Sequence, residues 1–221
     1  MTDHPGNLGL GADDLLTSTR AVRKRIDFDR PVERAVIEEC VEIAQQAPTG
    51  SNTQGWRWVF VEDPDTKAAL AELYRASFYP YVGEEPPSPD EALAATSSDQ
   101  SERIRSSAMY MAARLHEVPL MAVPCIEGRV GPGMETFDQA SVWGSILPAV
   151  WSFCLALRER GLGSSWTTLH LPYEREAAEI LGIPYDEVTQ AGLFPIGYTL
   201  GTEFKPARRE PAARWIHWDR W

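Results

Sequence analysis

The chain has 221 residues, of which 43% are hydrophobic and 24% are charged. These proportions are typical of a soluble globular protein and exclude a wholly disordered chain, a collagen-like repeat and a disulfide-rich scaffold. The 21 basic and 32 acidic side chains leave a formal net charge of −11. We therefore expect neither nucleic acid nor an anionic membrane surface as a partner. The three cysteines cannot all pair, and the first residues lack an apolar signal, so we expect a cytoplasmic protein.

The first third of the chain alternates helical and extended patterns. We predict a flexible N-terminal segment over residues 1–14, followed by a single folded domain over residues 15–221. Apolar residues at helical spacing, capping residues and one β-branched and aromatic run predict the elements that follow. They are a short helix with its exit at 13–25, a helix at 31–47, a strand at 56–62 and a helix at 63–77.

Residues 78–101 change character, because they are rich in proline and in acidic residues. A long stretch without a regular pattern inside a compact domain is usually either functional or disordered. We predict a lid-like loop here. Tyr79 and Tyr81, near its start, are the candidate substrate-contacting residues, and the alternative is that they only pack as part of a surface lid.

The rest of the chain continues this mixture of helices and separated strands. We predict helices at 102–117, 137–160 and 172–181, and strands at 119–127, 164–170 and 188–199. Long helices with a few separated strands are typical of the α+β class. Residues 201–221 form a proline-rich, basic C-terminal extension, and we expect its three tryptophans to pack on this subunit or on a partner.

One predicted helix is apolar enough to raise the question of a membrane. Between Gln139 and Leu157 the chain has nineteen residues without a charge, which is nearly the length that crosses a bilayer. However, Pro148 interrupts this stretch, and Trp143 and Trp151 lie away from its ends, where interfacial tryptophans belong. We expect a buried core helix or a dimer helix, and no membrane partner.

The basic residues are concentrated in two short segments. Residues 20–25 and 205–214 contain eight of the 21 basic side chains and only one acidic side chain. Arginine offers a permanent charge and a fork of donors that suits a phosphate group. Two such clusters in an acidic protein favour an anion-binding site, although each could also be a solvated face or a local ion-pair network.

The sequence has few side chains in arrangements that would catalyse a reaction without a cofactor. No two of the four histidines have metal-ligand spacing, and neither a G-x-S-x-G nor a G-x-G-x-x-G motif occurs, so we predict no metal site and no nucleophile elbow. If the protein is an enzyme, a cofactor then carries the chemistry. The loop PTGSNTQ at 48–54 and Trp56, Trp58 and Trp166 could bind a flat ring, or they could be an ordinary turn and packed tryptophans.

Four segments resemble, in the same order, the motifs of one enzyme family. They are TRAVRKR at 19–25, APTGSNTQGW at 47–56, ALRERGLGSSW at 156–166, and IGY at 196–198 followed by KPARREP at 205–211. Together they are similar to the FMN-dependent nitroreductase family, over nearly the whole chain from about Leu15. The resemblance implies an α/β/α sandwich with a mostly antiparallel central sheet. It also implies an intertwined homodimer that holds two FMN molecules at its interface.

The same resemblance implies which residues contact the flavin. Arg20 and Arg23 would hold its phosphate and pyrimidine side, and Arg208 and Arg209 would close on the phosphate from the tail. The flavin of the other subunit would be reached by Pro48, Thr49, Gly50 and Asn52, and Gln54 would orient that loop. The full set of matched positions is Arg20, Ala21, Arg23, Pro48, Thr49, Gly50, Asn52, Gln54, Ser165, Trp166, Thr167, Arg208 and Arg209.

The chain departs from the family pattern at a few of these places. Thr19 and Ala21 stand where the first motif has an arginine and a serine, and Gly55 stands where the second has a proline. Ala207 stands where the last motif has a basic residue, and Arg208 or Lys205 would have to compensate for it. One flavin contact is therefore missing or supplied elsewhere.

The implied activity is that of an FMN-dependent oxidoreductase, a flavoprotein that needs no catalytic side chain of its own. Hydride would pass from NADPH or NADH to the flavin N5 and then, by a ping-pong mechanism, to a small electron-poor acceptor such as a nitroaromatic or a quinone. Arg20 or Arg23 would stabilise the reduced flavin. Flavin cleavage, dehalogenation and azoline oxidation on the same fold are alternatives, and so is a flavin-binding module without turnover. The sequence leaves open NADH or NADPH, and a homodimer or a heterodimer.

Overall fold

The computed structural model of the chain describes residues 6–83 and 99–221. Within them the helices are α1 (Ala12–Ser18), α2 (Arg34–Ala44), α3 (Pro64–Val82), α4 (Gln100–Arg114), α5 (Thr136–Glu159) and α6 (Glu174–Leu181). The strands are β1 (Trp56–Val61), β2 (Leu120–Glu127), β3 (Leu162–Ser164), β4 (Val188–Gln190) and β5 (Phe194–Tyr198). Single turns of 3-10 helix lie at Gly50–Asn52, Leu115–Glu117, Leu171–Tyr173 and Ala212–Arg214.

The described strands form one sheet with the order β1-β2-β5-β3. Every ladder between them is antiparallel. Both β4 and β5 pair with β2, at residues 125–127 and 120–122 respectively, so together they act as one interrupted neighbour of that strand. The predicted α+β class and antiparallel sheet are confirmed.

Helices cover both faces of the sheet, because the strands alternate between two apolar cores. In β2, Leu120, Ala122 and Ile126 belong to a core with α2 and α5, whereas Met121 and Val123 belong to a core with α3, α4 and α6. Since neither face of β2 meets water, its sequence is an almost continuous apolar run. This helix–sheet–helix layering is the α/β/α sandwich that the sequence predicts.

The long helix α5 has one buried apolar side and one exposed apolar side. Val150, Phe153 and Leu157 are fully buried in the core, whereas Leu147 and Trp151 are exposed. In the described part of the chain, α5 alone is long and apolar enough to cross a membrane by length and composition, and 39% of its most apolar window is buried within the chain. The buried side explains part of the apolar character of α5. The apolar residues on the other side are exposed in the single chain.

The predicted lid-like loop at 78–101 is wrong over its first residues, because α3 continues to Val82. Gly83 ends this helix in the left-handed conformation, with φ +69°, and its N–H donates to the Tyr79 carbonyl oxygen at 2.9 Å. Pro80 lies in the last turn of the helix and removes one intrahelical hydrogen bond. The burial of the aromatic side chains around it offsets this loss, which local sequence patterns do not reveal.

The aromatic side chains at this end of α3 are packed to different degrees. Phe78 is buried and stacks on Tyr74, with the ring centroids 5.4 Å apart. Tyr79 is half-buried against Phe78, and burial raises the pKa of its hydroxyl. Tyr81 is 77% exposed. The remainder of the predicted lid, residues 84–98, lies outside the described residues, and α4 already covers its last two positions.

The N-terminal segment differs from the flexible stretch predicted over residues 1–14. The N–H groups of residues 8–10 donate to the main-chain and carboxylate oxygens of Glu159 at 2.7–3.1 Å. The end of α5 therefore holds this part of the segment, and α1 follows directly. Residues 1–5 lie outside the described residues.

The last two predicted strands are shifted or broken in the structure. Apart from its first residue, the run at 164–170 is not a strand, although Thr167 forms an isolated bridge with Leu193. The regular strand is β3, which comes just before it. The predicted strand at 188–199 is divided into β4 and β5 around Gly192, whose φ is +155°.

His170 is a fully buried histidine on the α6 side of the sheet. Its Nε2 lies 3.2 Å from Oε1 of Gln190, and its Nδ1 has no hydrogen-bond partner among the described residues. Glu174 accepts hydrogen bonds from the main chain and the side chain of Gln190, both at 2.9 Å. Burial lowers the pKa of His170 to about 4, so the imidazole is neutral at pH 7.

We predict that the free energy of unfolding falls as the pH drops from about 6.5 to about 4, because the unfolded chain then binds a proton that folded His170 does not accept. This residue contributes a slope of at most about 1.4 kcal/mol per pH unit. Urea denaturation of the wild type and of His170→Gln across this range measures it, and the variant should lose that part of the slope. The exposed His116→Gln is the matched control. If His170→Gln keeps the wild-type slope, the assignment is wrong.

Candidate functional site

The two arginine clusters lie side by side because Arg25 binds the start of the C-terminal extension. Its guanidinium donates to the main-chain oxygens of Leu200, Gly201 and Glu203 at 2.7–2.9 Å. It also lies over the ring of Phe204, 4.1 Å from the centroid. Arg25 therefore has a structural role, since it fixes this stretch beside the bend that follows α1.

Arg20 and Arg23 have different neighbours on that bend. Arg20 is exposed and donates from Nη1 to the Lys205 carbonyl oxygen at 2.8 Å. Arg23 is half-buried, with Nη1 at 3.5 Å from Oγ of Ser107 in α4. Burial lowers the pKa of Arg23, and the nearby Tyr74 partly opposes this shift. An arginine remains charged at neutral pH, so Arg23 brings a positive charge to a place where water screens it poorly.

A mainly apolar cleft opens between the bend, the C-terminal half of α5, β3 and the start of the tail. Residues 18–22 form one side, and Trp151 and Arg158 of α5 form another. Residues 162–164 and Trp166 complete it. The structure thus brings together three of the residues that the sequence motifs assign to a cofactor, namely Arg20, Ala21 and Trp166.

The floor of this cleft depends on Gly163. A Cβ atom there would lie 2.7 Å from Cβ of Val22 and 2.8 Å from Cγ2 of Thr199. The Val22 N–H donates to the Ser164 carbonyl oxygen at 2.8 Å, and Gly161, with φ +72°, turns the chain out of α5. In the G-L-G pattern the first glycine therefore makes the turn, and the second lets the bend and the end of β5 approach the strand.

The three residues Ser165, Trp166 and Thr167 follow this strand. Thr167 donates from Oγ1 to the Leu193 carbonyl oxygen at 2.6 Å and so is tied to the sheet. Ser165 is buried, and its hydroxyl has no hydrogen-bond partner within the described part of the chain. Trp166 packs on Phe194 with the ring centroids 5.2 Å apart and leaves part of its ring exposed to the cleft. Of the three, Trp166 is the one that lines the cleft.

The loop at 48–54 lies along a different part of α5. The Gly50 N–H donates to Oγ of Ser145 at 3.0 Å, and a Cβ on Gly50 would lie 2.8 Å from Oγ of Ser141. Ser145 precedes Arg158, which lines the cleft, by thirteen positions, or about 20 Å at about 1.5 Å per helical residue. The structure therefore separates this loop from the cleft of its own chain.

Three residues of this loop adopt the left-handed backbone conformation. Ser51, Asn52 and Gln54 have φ values of +50°, +55° and +52°, which cost about 1–2 kcal/mol each for residues with a side chain. The loop is held by its own polar groups, since Gln54 donates from Nε2 to Oδ1 of Asn52 at 3.1 Å and from its N–H to Oγ1 of Thr49 at 3.2 Å. Such strained, exposed positions are concentrated at ligand-binding sites.

The tail arginines Arg208 and Arg209 are exposed and do not line the cleft. Arg209 donates to the Arg208 carbonyl oxygen at 3.1 Å. Beyond them Trp215, Trp218 and Trp221 are exposed, so the sequence expectation that they pack on their own subunit is not met. The other half of the expectation, that these tryptophans pack on a partner, stays a prediction.

Sequence reasoning missed Arg158, in the last turn of α5. A basic residue at the end of a helix is usually an exposed cation that complements the helix dipole, and nothing in the local pattern signals anything else. In the structure Arg158 is only 5% exposed and lines the cleft. Only the packing of α5 against the bend and the tail shows this.

Comparison with known proteins places the chain in a family. The model of the Nitroreductase family matches residues 16–198, which is most of the chain. The chain therefore belongs to the nitroreductase family. This confirms the resemblance that the four sequence motifs indicate.

Individual relatives are distant or partial. A putative NADH dehydrogenase/NAD(P)H nitroreductase of Caulobacter sp. (strain K31) is 38% identical over 58 residues, which cover 26% of this chain and 30% of that protein. An iodotyrosine deiodinase of Thermotoga neapolitana is 25% identical over 206 residues, which cover 91% of this chain and 96% of that protein. The crystal structure of the FMN and NADPH-dependent nitroreductase NfnB of Sphigopyxis sp. strain HMH has a TM-score of 0.66 at 23% identity, and the match covers 96% of this chain and 100% of that one.

We predict that Gly163→Ala destabilises the fold by about 1–3 kcal/mol, because the new methyl group overpacks the cleft floor from two sides. Gly131→Ala is the matched control, since a Cβ there meets nothing within 4 Å, and its effect should stay within about 0.5 kcal/mol. Chemical denaturation of both variants measures the difference. Equal stability of the two variants would show that this floor is not tightly packed.

Proposed function

We propose that the chain is an FMN-dependent oxidoreductase that passes hydride from NADPH or NADH, through the flavin, to a small electron-poor acceptor such as a nitroaromatic or a quinone, in a ping-pong sequence. One observation carries this proposal: a member of the nitroreductase family has an apolar cleft where its two arginine clusters meet. FMN combines a flat, largely apolar ring with a phosphate. A site for it therefore needs an apolar slot with cations at one end.

The residues present fit such a group. Trp166 and β3 offer an apolar wall, and the bend at 18–22 brings its backbone and Arg20 to the same cleft. The guanidinium of Arg158 adds buried N–H donors that no group of the described chain accepts. When bound, the flavin would supply the redox chemistry. The chain would supply binding, orientation and charge.

Arg20 and Arg23 would have separate tasks in this site. Arg20, next to the tail, would contact the phosphate. Arg23, half-buried beside α3 and α4, would place its charge where negative charge develops on the pyrimidine side of the ring, in surroundings that screen it poorly. Because the cofactor would carry the electrons, no acid, base or nucleophile is required from the cleft.

We further propose that two copies of the chain form a homodimer in which each completes the site of the other. The loop at 48–54 lies about 20 Å along α5 from its own cleft, yet its strained backbone and exposed Asn52 and Gln54 are those of a binding loop. The apolar face of α5 with Leu147 and Trp151 is exposed, and so are the tail tryptophans. Large apolar side chains that are exposed in this way are typical of association surfaces.

Reductive dehalogenation is the second candidate function. The iodotyrosine deiodinase of Thermotoga neapolitana aligns with 91% of this chain, whereas the Caulobacter relative aligns with 26%. The same cleft would serve, with a halogenated phenol as the acceptor. The third candidate function is that of a flavin-binding module without turnover.

The absorbance spectrum of the purified protein, followed under anaerobic conditions, tests the proposed function. Bound oxidised flavin should give a band at about 450 nm, as expected of any flavin site. NADPH or NADH should bleach it, and a nitroaromatic or a quinone should restore it. Faster recovery with a halogenated phenol would favour dehalogenation. A band that persists with both donors would refute the NAD(P)H oxidoreductase and leave flavin cleavage, dehalogenation or the binding module.

We predict that Arg23→Ala and Arg209→Ala each weaken FMN binding by about 1.5–3 kcal/mol, the scale of a hydrogen bond to a charged group. Quenching of flavin fluorescence in a titration of the apoprotein measures the affinity. Arg175→Ala is the control, because this exposed arginine of α6 pairs with Asp186 at 3.7 Å and belongs to neither arginine cluster. Wild-type affinity in both variants would contradict the assigned roles.

We predict that Asn52→Ala and Arg23→Ala complement each other when the two chains are mixed. A mixed dimer would have one site with both substitutions and one site with neither. Random mixing should therefore recover about a quarter of the flavin sites, as for any twofold-symmetric pair. No recovery after confirmed subunit exchange would contradict shared sites.

A further inference from the structure

Arg158 is a buried cation that has no ion-pair partner within residues 6–83 and 99–221. Its side chain is 5% exposed, and Nε and Nη1 have no hydrogen-bond partner among the described residues. Nη2 makes one long contact, at 3.4 Å, with Oγ of Ser18. A guanidinium has five N–H groups in a fixed fork, so most of the donors of this one are unused.

The surroundings of Arg158 offset its charge only in part. Burial lowers the pKa of Arg158 most, the carboxylate of the adjacent Glu159 raises it, and Arg25 lowers it. That carboxylate also accepts hydrogen bonds from Gly9 and Leu10. Phe204 covers the guanidinium at 4.8 Å from the ring centroid and excludes water from that side. A buried cation with unmet donors is costly unless an anion or an acceptor joins it.

The position of Arg158 shows where such an anion would lie. Arg158 lines the cleft together with the bend at 18–22, including Arg20. Thr19 brings no charge to this bend, although the motif it resembles has an arginine at that place. The cleft is therefore lined by two guanidinium side chains, from the bend and from α5, and both could contact a doubly charged, oxygen-rich group.

We propose that Arg158 binds the terminal phosphate of the flavin cofactor and supplies the cationic contact that Thr19 does not. This inference rests on the proposed function, because it requires that the cleft holds FMN. The fork of Arg158 would donate two parallel hydrogen bonds to the phosphate oxygens, which is the strongest form of this contact. Arg20 would bind the same group from the side of the tail.

Affinities for FMN and for riboflavin, which lacks only the phosphate, test this role in the apoprotein. The wild type should bind FMN more tightly than riboflavin. Arg158→Gln should lose about 10- to 100-fold of its affinity for FMN, and its affinity for riboflavin should change little. Arg160→Gln is the matched control, because this arginine, two residues after Arg158, pairs with Glu39 at 3.2 Å and should keep the wild-type preference for FMN.

Three results would overturn the proposal. One is an unchanged ratio of FMN to riboflavin affinity in Arg158→Gln, and another is an equal loss of both affinities, which a purely structural role predicts. The third is a wild type that binds both flavins equally. If Arg158→Gln does not fold, Arg158→Lys takes its place, because lysine keeps the buried charge without the fork. In that variant the ratio of FMN to riboflavin affinity should fall by at least about threefold. A wild-type ratio in Arg158→Lys would refute the role. A wild type that binds neither flavin would instead refute the proposed function itself.

Discussion

Gly163 allows three segments of the chain to meet at one point, and the candidate site is built around that point. The strand β3 passes between Val22 of the N-terminal bend and Thr199 at the end of β5, where no side chain fits on the strand. The bend carries the first arginine cluster, and the chain after Thr199 carries the second. A side chain at this glycine would push the two apart. The close approach of three backbones therefore decides where the charges of this acidic protein gather.

Some basic residues at this meeting point hold segments of the chain together, and others have N–H donors available for a ligand. Arg25 uses three of its five N–H donors on main-chain oxygens, which hold its guanidinium against the start of the tail. Arg20 makes one such contact, and Arg158 is buried with most of its donors unused. A net charge of −11 keeps anions away from the general surface. The cleft has walls of low dielectric constant, so its local positive potential attracts an anion more strongly than the overall charge suggests.

Local patterns predicted the elements whose structure is decided locally, and missed those that depend on distant contacts. The apolar run of β2 and the long uncharged helix α5 are visible in the sequence because burial on two faces or along one side leaves a regular pattern. Pro80 and the proline-rich, acidic residues that follow it in the sequence hid the last turn of α3, which the buried Phe78 stabilises. The aromatic and β-branched run at 164–170 suggested a strand, but the ladder forms just before it, where glycine admits its neighbours. Arg158 gave no signal, because its burial depends on the bend and the tail, which are far away in the sequence.

The contacts of Arg25 also bear on the order of events in cofactor binding. Residues 200–204 are held by hydrogen bonds within the chain itself, so the conformational entropy of ordering them is lost during folding. A cofactor that binds beside them, as proposed above, would therefore meet a preorganised surface. Without this anchor the same entropy would be lost in the binding step. An arginine that need not touch the cofactor thereby sets how much of the intrinsic binding energy appears as affinity.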